Sequence, residues 1–64
     1  MQAQDYPIGA EVLVITYNGK EYRAKVSQHT ALNCCLVLTW IPPRPGFQDI
    51  NTVCLYHVRE IRLQ

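Results

Sequence analysis

Three cysteines and two histidines are the side chains of this 64-residue chain that are best able to do chemistry. A thiol and an imidazole can form a nucleophilic pair, but only when a further group holds the base beside the thiol. Nothing in the sequence orients His29 or His57 toward Cys34, Cys35 or Cys54. There is also no C-x-x-C pair and no zinc-type spacing around either histidine. The pattern therefore predicts neither a catalytic residue nor a metal site.

The cysteines are better explained as packing groups. An odd number with two adjacent members is a poor disulfide framework, because neighbouring residues of a strand point to opposite faces. We expect small, buried, free thiols in a reducing compartment, which predicts an intracellular protein, cytoplasmic or nuclear. The stretch MQAQDYPIG has no signal-peptide pattern, and no apolar run approaches the roughly 20 residues that span a bilayer, so we expect no membrane partner.

The carboxylates do not suggest catalysis either. They are Asp5, Glu11, Glu21, Asp49 and Glu60. None of them has the paired spacing that acid–base chemistry uses. A chain this short buries only about 60% of its unfolded surface, which allows one small core and no deep active site. We therefore expect a protein that is not an enzyme and holds no cofactor.

Basic residues allow a weak nucleic-acid surface. Arg23 and Lys25 share one face of a predicted strand, Lys20 is near its start, and Arg44 is in a proline-rich loop. With a nearby aromatic ring, such residues could contact phosphates and stacked bases. The net charge is only +1, however, and Glu21 interrupts the group, so plain solvation of this face is the alternative.

Short strands must position all these residues. Apolar and β-branched runs alternate with turn residues, which is an all-β pattern. Strands are predicted over residues 11–17, 20–28, 33–40 and 52–56, followed by a 3₁₀ turn at Val58 and Ile61 and a short last strand. The loop 41–49 carries three prolines, and its P-x-x-P segment is expected to be a stiff connector rather than a ligand. Five short strands in this order predict a small barrel over residues 8–64, after a polar lead-in over residues 1–7.

The first hairpin has two possible registers. A two-residue Asn18-Gly19 turn would direct Leu13 toward the core, whereas one extra loop residue would direct Val12 and Val14 there instead. Both sets are apolar, so the sequence leaves the two registers open. The apolar set outside the core is a candidate surface for self-association.

The segments IGAEVLV, YNGKEYRAKV, CLVLTW and YHVREI together resemble the Tudor domain, over about residues 8–63. The matching features are a strand opened by glycine, an Asn-Gly turn and the aromatic-Arg-Ala-x-Val stretch Tyr22–Val26. A third strand ending in the aromatic Trp40, and Val58 and Ile61 at the last turn, complete the match. The resemblance implies a five-stranded SH3-like barrel that acts as an interaction module for a protein or peptide.

The resemblance also implies a cage of aromatic rings for a methylated lysine or arginine. By position, Tyr17 and Tyr22 would form two walls on either side of the hairpin turn, and Trp40 the third. Phe47 would be the fourth ring, with Asp49 as the nearest acidic partner. Ring faces attract such a cation by about 0.5–2 kcal/mol per good contact. Ordinary core packing of Tyr22 and Trp40 is the alternative.

A second, local resemblance involves VCLYHV, residues Val53–Val58. It is similar to the Val-Gln-Ile-Tyr-Pro-Val stretch of type II dihydrofolate reductases, which are tetramers of SH3-like barrels. Cys54 stands where that family has glutamine, and the strand VLVITY contains no lysine to match the family's pore lysine. This resemblance implies a homo-oligomer without reductase activity.

Overall fold

A computed structural model describes residues 2–43, 45–46 and 48–64. The five strands are β1 (Glu11–Ile15), β2 (Glu21–His29), β3 (Cys35–Trp40), β4 (Ile50–Cys54) and β5 (Glu60–Leu63). They form one antiparallel sheet in the order β4-β3-β2-β1-β5. Two 3₁₀ turns, Ala3–Asp5 and Leu55–His57, complete the regular structure of the described residues. The predicted all-β class is confirmed.

The β1–β2 hairpin closes through a loop with one more residue than a two-residue turn. Ile15 pairs with Glu21, and the Thr16 N–H donates to the Lys20 carbonyl at 2.9 Å. The Gly19 N–H donates to the Thr16 carbonyl at 3.0 Å, and Gly19 has a φ of 87°. A type I turn followed by a left-handed glycine is the usual three-residue hairpin, and its right-handed twist suits the flanking strands.

This loop selects the register that the sequence left open. Val14 pairs with Tyr22 and Val12 with Ala24, so the two valines lie on the same face as the inward residues of β2. Both valines are buried, whereas Leu13 is only half-buried. The extra loop residue therefore decides which face of β1 enters the core.

The core lies on one face of the sheet. It consists of Ala3, Tyr6, Val12, Val14, Ala24, Val26, Leu36, Leu38, Val58 and Ile61. Leu36 and Leu38 of β3 are fully buried, in keeping with the position of β3 between β2 and β4. Tyr22, Trp40, Val53 and Leu55 pack against this core while keeping part of their surface exposed.

The 3₁₀ turn before the last strand lies a few residues earlier in the sequence than predicted. The 3₁₀ turn precedes the last strand, as expected, but it spans Leu55–His57 instead of lying at Val58 and Ile61. Val58 is extended, with φ −129° and ψ 158°, and Ile61 belongs to β5. The side chains of Val58 and Ile61 are nevertheless both buried. Their separation by three residues therefore comes from an extended segment that contacts the core twice, and not from a helical turn.

The segment before β1 packs into the same core. Ala3 and Tyr6 are each only 2% exposed. The Ala3 N–H donates to the Asn33 carbonyl at 2.6 Å, and the Tyr6 hydroxyl donates to the Ile61 carbonyl at 2.6 Å. The His29 ring nitrogen Nε2 lies 2.6 Å from the Tyr6 carbonyl. The lead-in of the sequence prediction is thus polar in composition but contributes two buried side chains.

The chain between β3 and β4 turns back across the start of β2. The Ile41 N–H donates to the Arg23 carbonyl at 3.0 Å, which continues the β2–β3 pairing beyond Trp40. The Trp40 N–H in turn donates to the Asp49 carbonyl at 3.2 Å, and the Ile41–Pro42 peptide bond is cis. In the described part of the chain, no helix has the length and apolar character needed to cross a membrane.

Candidate functional site: an apolar cavity and a thiol cluster

A cavity of about 470 Å³ lies where the proline-rich segment passes β2. We call it the proline cavity; its apolar walls are Tyr22, Ile41, Pro42, Pro43 and Pro45, and Glu21 and Arg23 also line it. The wall is positioned by the sheet, because Ile41 is hydrogen-bonded to β2 and the prolines follow directly. Prolines add apolar surface without backbone donors, so this wall interacts mainly through shape and apolar contact.

Tyr22 and Trp40 form an aromatic pair beside this cavity. Their ring centroids are 6.1 Å apart with an interplanar angle of 65°, an edge-to-face arrangement. The pairing of Ala24 with Trp40 makes Tyr22 a diagonal neighbour of the tryptophan on the same face of the sheet. Both rings are half-buried. The tryptophan therefore supports the orientation of the tyrosine that lines the cavity.

The structure brings together some of the predicted cage residues. Tyr22 and Trp40 are in ring contact, and Asp49 is joined to Trp40 through its backbone carbonyl while its side chain is exposed. Of the described residues, Tyr17, Trp40 and Asp49 are not among those lining the proline cavity. Phe47 lies outside the described residues.

Tyr17 instead reaches toward the last 3₁₀ turn. Its hydroxyl donates to the Tyr56 carbonyl at 3.1 Å, and the two tyrosines are 70% and 76% exposed. Tyr56 also lines a smaller cavity of about 240 Å³ together with Tyr6 and Arg59. The two tyrosines that were predicted as walls of one pocket therefore lie apart, with Tyr22 at the proline cavity and Tyr17 beside Tyr56.

The predicted nucleic-acid surface carries a carboxylate within it. Glu11 accepts from the Arg23 guanidinium at 2.8 Å and pairs across the strands with Lys25. Lys20 and Lys25 are exposed, and Arg44 lies outside the described residues. The Glu11 carboxylate offsets the charge of Arg23, which weakens this face as a phosphate-binding surface.

The three cysteines form a cluster that the sequence analysis did not predict. Cys34, Cys35 and Cys54 place their sulfur atoms within 4.8 Å of one another, and the Cys34 and Cys35 sulfurs are 3.8 Å apart. Adjacent cysteines can meet here because β3 begins at Cys35, so Cys34 lies outside the strand and its alternation. Cys35 pairs with Cys54 directly across β3 and β4. All three are free thiols.

The cluster changes the acidity of one of its members. Burial among its neighbours raises the pKa of the Cys35 thiol to about 11, and the sulfurs of Cys34 and Cys54 add to the shift. Protonated thiols can share weak S–H···S contacts, whereas a thiolate beside two other sulfurs is disfavoured. At neutral pH Cys35 is therefore a poor nucleophile.

A signal for this cluster existed in the sequence but depended on the strand register. The predicted third strand, 33–40, places Cys34 inside the strand and directs it away from Cys35, whereas β3 begins at Cys35. The sequence also does not give the register that sets Cys35 opposite Cys54. The sequence did not predict the proline cavity, because prolines in a loop indicate only that the loop is stiff. The cavity forms because this loop folds back against β2, and the sequence does not show the path of the loop.

No family model matches the chain, and comparisons with curated proteins and with solved structures return no match. The resemblances to Tudor domains and to type II dihydrofolate reductases therefore remain interpretations of sequence segments.

Proposed function

We propose that this chain is a non-catalytic interaction module that binds a methylated lysine or arginine side chain of a partner peptide in the proline cavity. The observation that carries the proposal is the half-buried Tyr22 ring, supported by Trp40, which lines an apolar cavity of about 470 Å³. This volume is within the range of about 300–1,000 Å³ that is typical of small-molecule binding pockets in proteins.

The proposal includes closure of the sheet into a small SH3-like barrel. The described residues contain no α-helix to cover the sheet, yet Leu36 and Leu38 are fully buried. The segment before β1 covers part of this core with Ala3 and Tyr6, and curling of the sheet would let its own inner face cover the rest. Closure would also protect the outer edges of β4 and β5.

A methylated cation suits the walls of this cavity. Methylation removes N–H donors and weakens hydration while the charge remains, so a ring face and apolar walls become favourable surroundings. Tyr22 supplies the ring, and Pro42, Pro43 and Pro45 supply donor-free apolar surface. An unmodified ammonium group would lose hydrogen bonds to water here that the prolines cannot replace.

The charges near the cavity favour a positively charged ligand, because the charge of Arg23 is offset by an ion pair. Glu21 lines the cavity and is exposed, so its carboxylate is available for attraction to a positively charged ligand. Arg23 also lines the cavity, but its guanidinium is in a 2.8 Å ion pair with Glu11. The ion pair reduces the repulsion that Arg23 would otherwise exert.

The test is an amide chemical-shift titration with matched lysine and arginine peptides, unmodified and methylated. We expect the methylated peptides to bind roughly three- to thirtyfold more tightly, as expected for one or two cation–π contacts. The shifted amides should lie around Tyr22 and Trp40. A peptide with the neutral tert-butyl analogue of trimethyllysine, which keeps the shape and removes the charge, should bind as weakly as the unmodified one.

Two variants locate the site. Tyr22→Leu removes the ring but keeps apolar volume, and Glu21→Gln removes a charge from an exposed position. Both should weaken binding of the methylated peptide, whereas Tyr56→Leu, which removes an exposed tyrosine of the other cavity, should leave it unchanged. Equal affinity for all peptides, or equal loss in Tyr56→Leu, contradicts the proposal.

A further inference from the structure

The thiol cluster has the composition and spacing of a metal site. Within residues 2–43, 45–46 and 48–64, it is the one group of three or more His, Cys, Asp or Glu ligand atoms that could reach a common ion. Metal–thiolate bonds of about 2.3 Å place three sulfurs about 3.8–4.0 Å apart in trigonal or tetrahedral geometry. The Cys34–Cys35 separation of 3.8 Å already has this value, and the other separations are at most 4.8 Å.

The backbone holds both halves of the cluster in place. Cys35 and Cys54 are opposite each other in the β3–β4 pairing. The Leu55 N–H donates to the Cys34 carbonyl at 2.8 Å, which fixes the residue before β3 against the residue after β4. Small rotations of the side chains would therefore suffice to bring the three sulfurs onto one ion, with no rearrangement of the strands.

We propose that Cys34, Cys35 and Cys54 form a three-thiolate site for a soft cation, with Cu(I) as the preferred ion. Thiolates are the ligands that select Cu(I) and other soft metals over Mg²⁺, Ca²⁺ or Mn²⁺. On binding, the three thiols release their protons to solvent as three Cu–S bonds form, and no electron is transferred.

The number of ligands favours Cu(I) over Zn²⁺. In the described part of the chain, no histidine, aspartate or glutamate joins the three sulfurs as a fourth ligand. Three thiolates complete a trigonal Cu(I) site, whereas Zn²⁺ is almost always four-coordinate and would need water or another group. The half-buried position also restricts access of water to the ion.

The test uses the reduced full-length chain under anaerobic conditions, with Cu(I) supplied through a chromophoric chelator that competes for it. We expect one Cu(I) per chain and protection of all three cysteines from alkylation, read by mass spectrometry. Cys34→Ser, Cys35→Ser and Cys54→Ser should each lower the affinity at least tenfold. Zn²⁺ should bind more weakly than Cu(I) in the same competition.

His57→Gln is the matched control, because this exposed histidine is the nearest in sequence to Cys54 and is not in the cluster. It should leave Cu(I) affinity unchanged. The proposal is overturned if His57→Gln weakens binding as much as the cysteine variants do. It is also overturned if Cu(I) protects fewer than three cysteines, or if thiol titration of the native chain finds a disulfide among them. The protection measurement needs no variant, so misfolding of a serine variant does not affect it.

Discussion

The Tyr6 hydroxyl donates a 2.6 Å hydrogen bond to the Ile61 carbonyl and joins the segment before β1 to the last strand. The tyrosine is 2% exposed, and its pKa is raised by burial and, secondarily, by the negative charges of Asp5 and Glu60. The contact links the two ends of the described chain through one buried side chain. The first residues therefore contribute to the stability of the whole sheet.

Tyr6→Phe should lower the free energy of unfolding by about 1–3 kcal/mol, because the buried Ile61 carbonyl loses its partner while the ring remains. Urea unfolding followed by circular dichroism measures this change. Tyr17→Phe is the matched control: it removes a hydroxyl that donates to the Tyr56 carbonyl at the surface, and should cost less than about 0.5 kcal/mol. Equal losses in the two variants would contradict a structural role for the Tyr6 bond.

Leu38→Ala should leave little folded protein. Leu38 is fully buried, and truncating such a leucine costs about 2–5 kcal/mol, which is comparable to the roughly 3–5 kcal/mol that so small a core supplies. Leu32→Ala, at a residue that is 60% exposed, should change the unfolding midpoint only slightly. The amide spectrum distinguishes the two cases directly, since an unfolded chain loses its dispersion.

Gly19→Ala should destabilise the hairpin through the backbone alone. Gly19 has a φ of 87°, and apart from its two chain neighbours no residue has an atom within 4 Å of where a Cβ would be, so strain rather than a clash opposes the substitution. A left-handed non-glycine residue costs about 1–2 kcal/mol. Asparagine tolerates this conformation better, so Gly19→Asn should cost less. If alanine and asparagine cost the same in thermal unfolding, the explanation from φ is wrong.

The hairpin was the part of the fold that the sequence predicted best. Asn18-Gly19 placed the turn correctly because glycine readily adopts the left-handed conformation that Gly19 has in this loop. The sequence could not select the register, since Val12, Leu13 and Val14 are all apolar and alternation carries no signal there. The register is set by the length of the loop, which has three residues between Thr16 and Lys20. The hydrogen bond that fixes this length forms only in the folded hairpin.

Features formed by distant segments were harder to predict. Tyr6 is a single aromatic residue in a polar stretch, so no periodicity marked it as a core residue. The cysteine cluster depends on the pairing of Cys35 with Cys54, and the proline cavity on the path of a loop. The resemblance implied that Tyr22 and Trp40 are two walls of one cage; the two rings are in edge-to-face contact, but Trp40 does not line the proline cavity.

The thiol cluster should make stability depend on alkaline pH. The pKa of Cys35 is raised from 9.0 to about 11 in the folded chain, so the folded state holds this proton more tightly than the unfolded state does. The corresponding stabilisation is fully present below pH 9 and is lost as the pH rises through about 11. Urea unfolding at a series of pH values should show this decline, and Cys35→Ser should make it shallower. Because the pKa of Tyr6 is also raised, the same comparison should be repeated in Tyr6→Phe, which removes the contribution of this tyrosine.

Glu11→Gln should weaken binding of a methylated cation without altering the cavity walls, a prediction that depends on the proposed function. Glu11 accepts from Arg23 at 2.8 Å, and both side chains are substantially exposed, so the pair contributes only about 0–1 kcal/mol to folding. Removing the carboxylate leaves the Arg23 charge at the cavity uncompensated. A bound cation is then repelled by about 0.5 kcal/mol in water, which corresponds to roughly a twofold loss of affinity. The loss should diminish as salt is added, because screening reduces the repulsion.

The control is Glu60→Gln, which breaks the equivalent surface ion pair between Glu60 and Arg62. The two charged groups of this pair are 3.1 Å apart and lie outside the proline cavity. If both variants weaken binding equally, net charge alone controls the affinity, and Arg23 has no specific effect at the cavity.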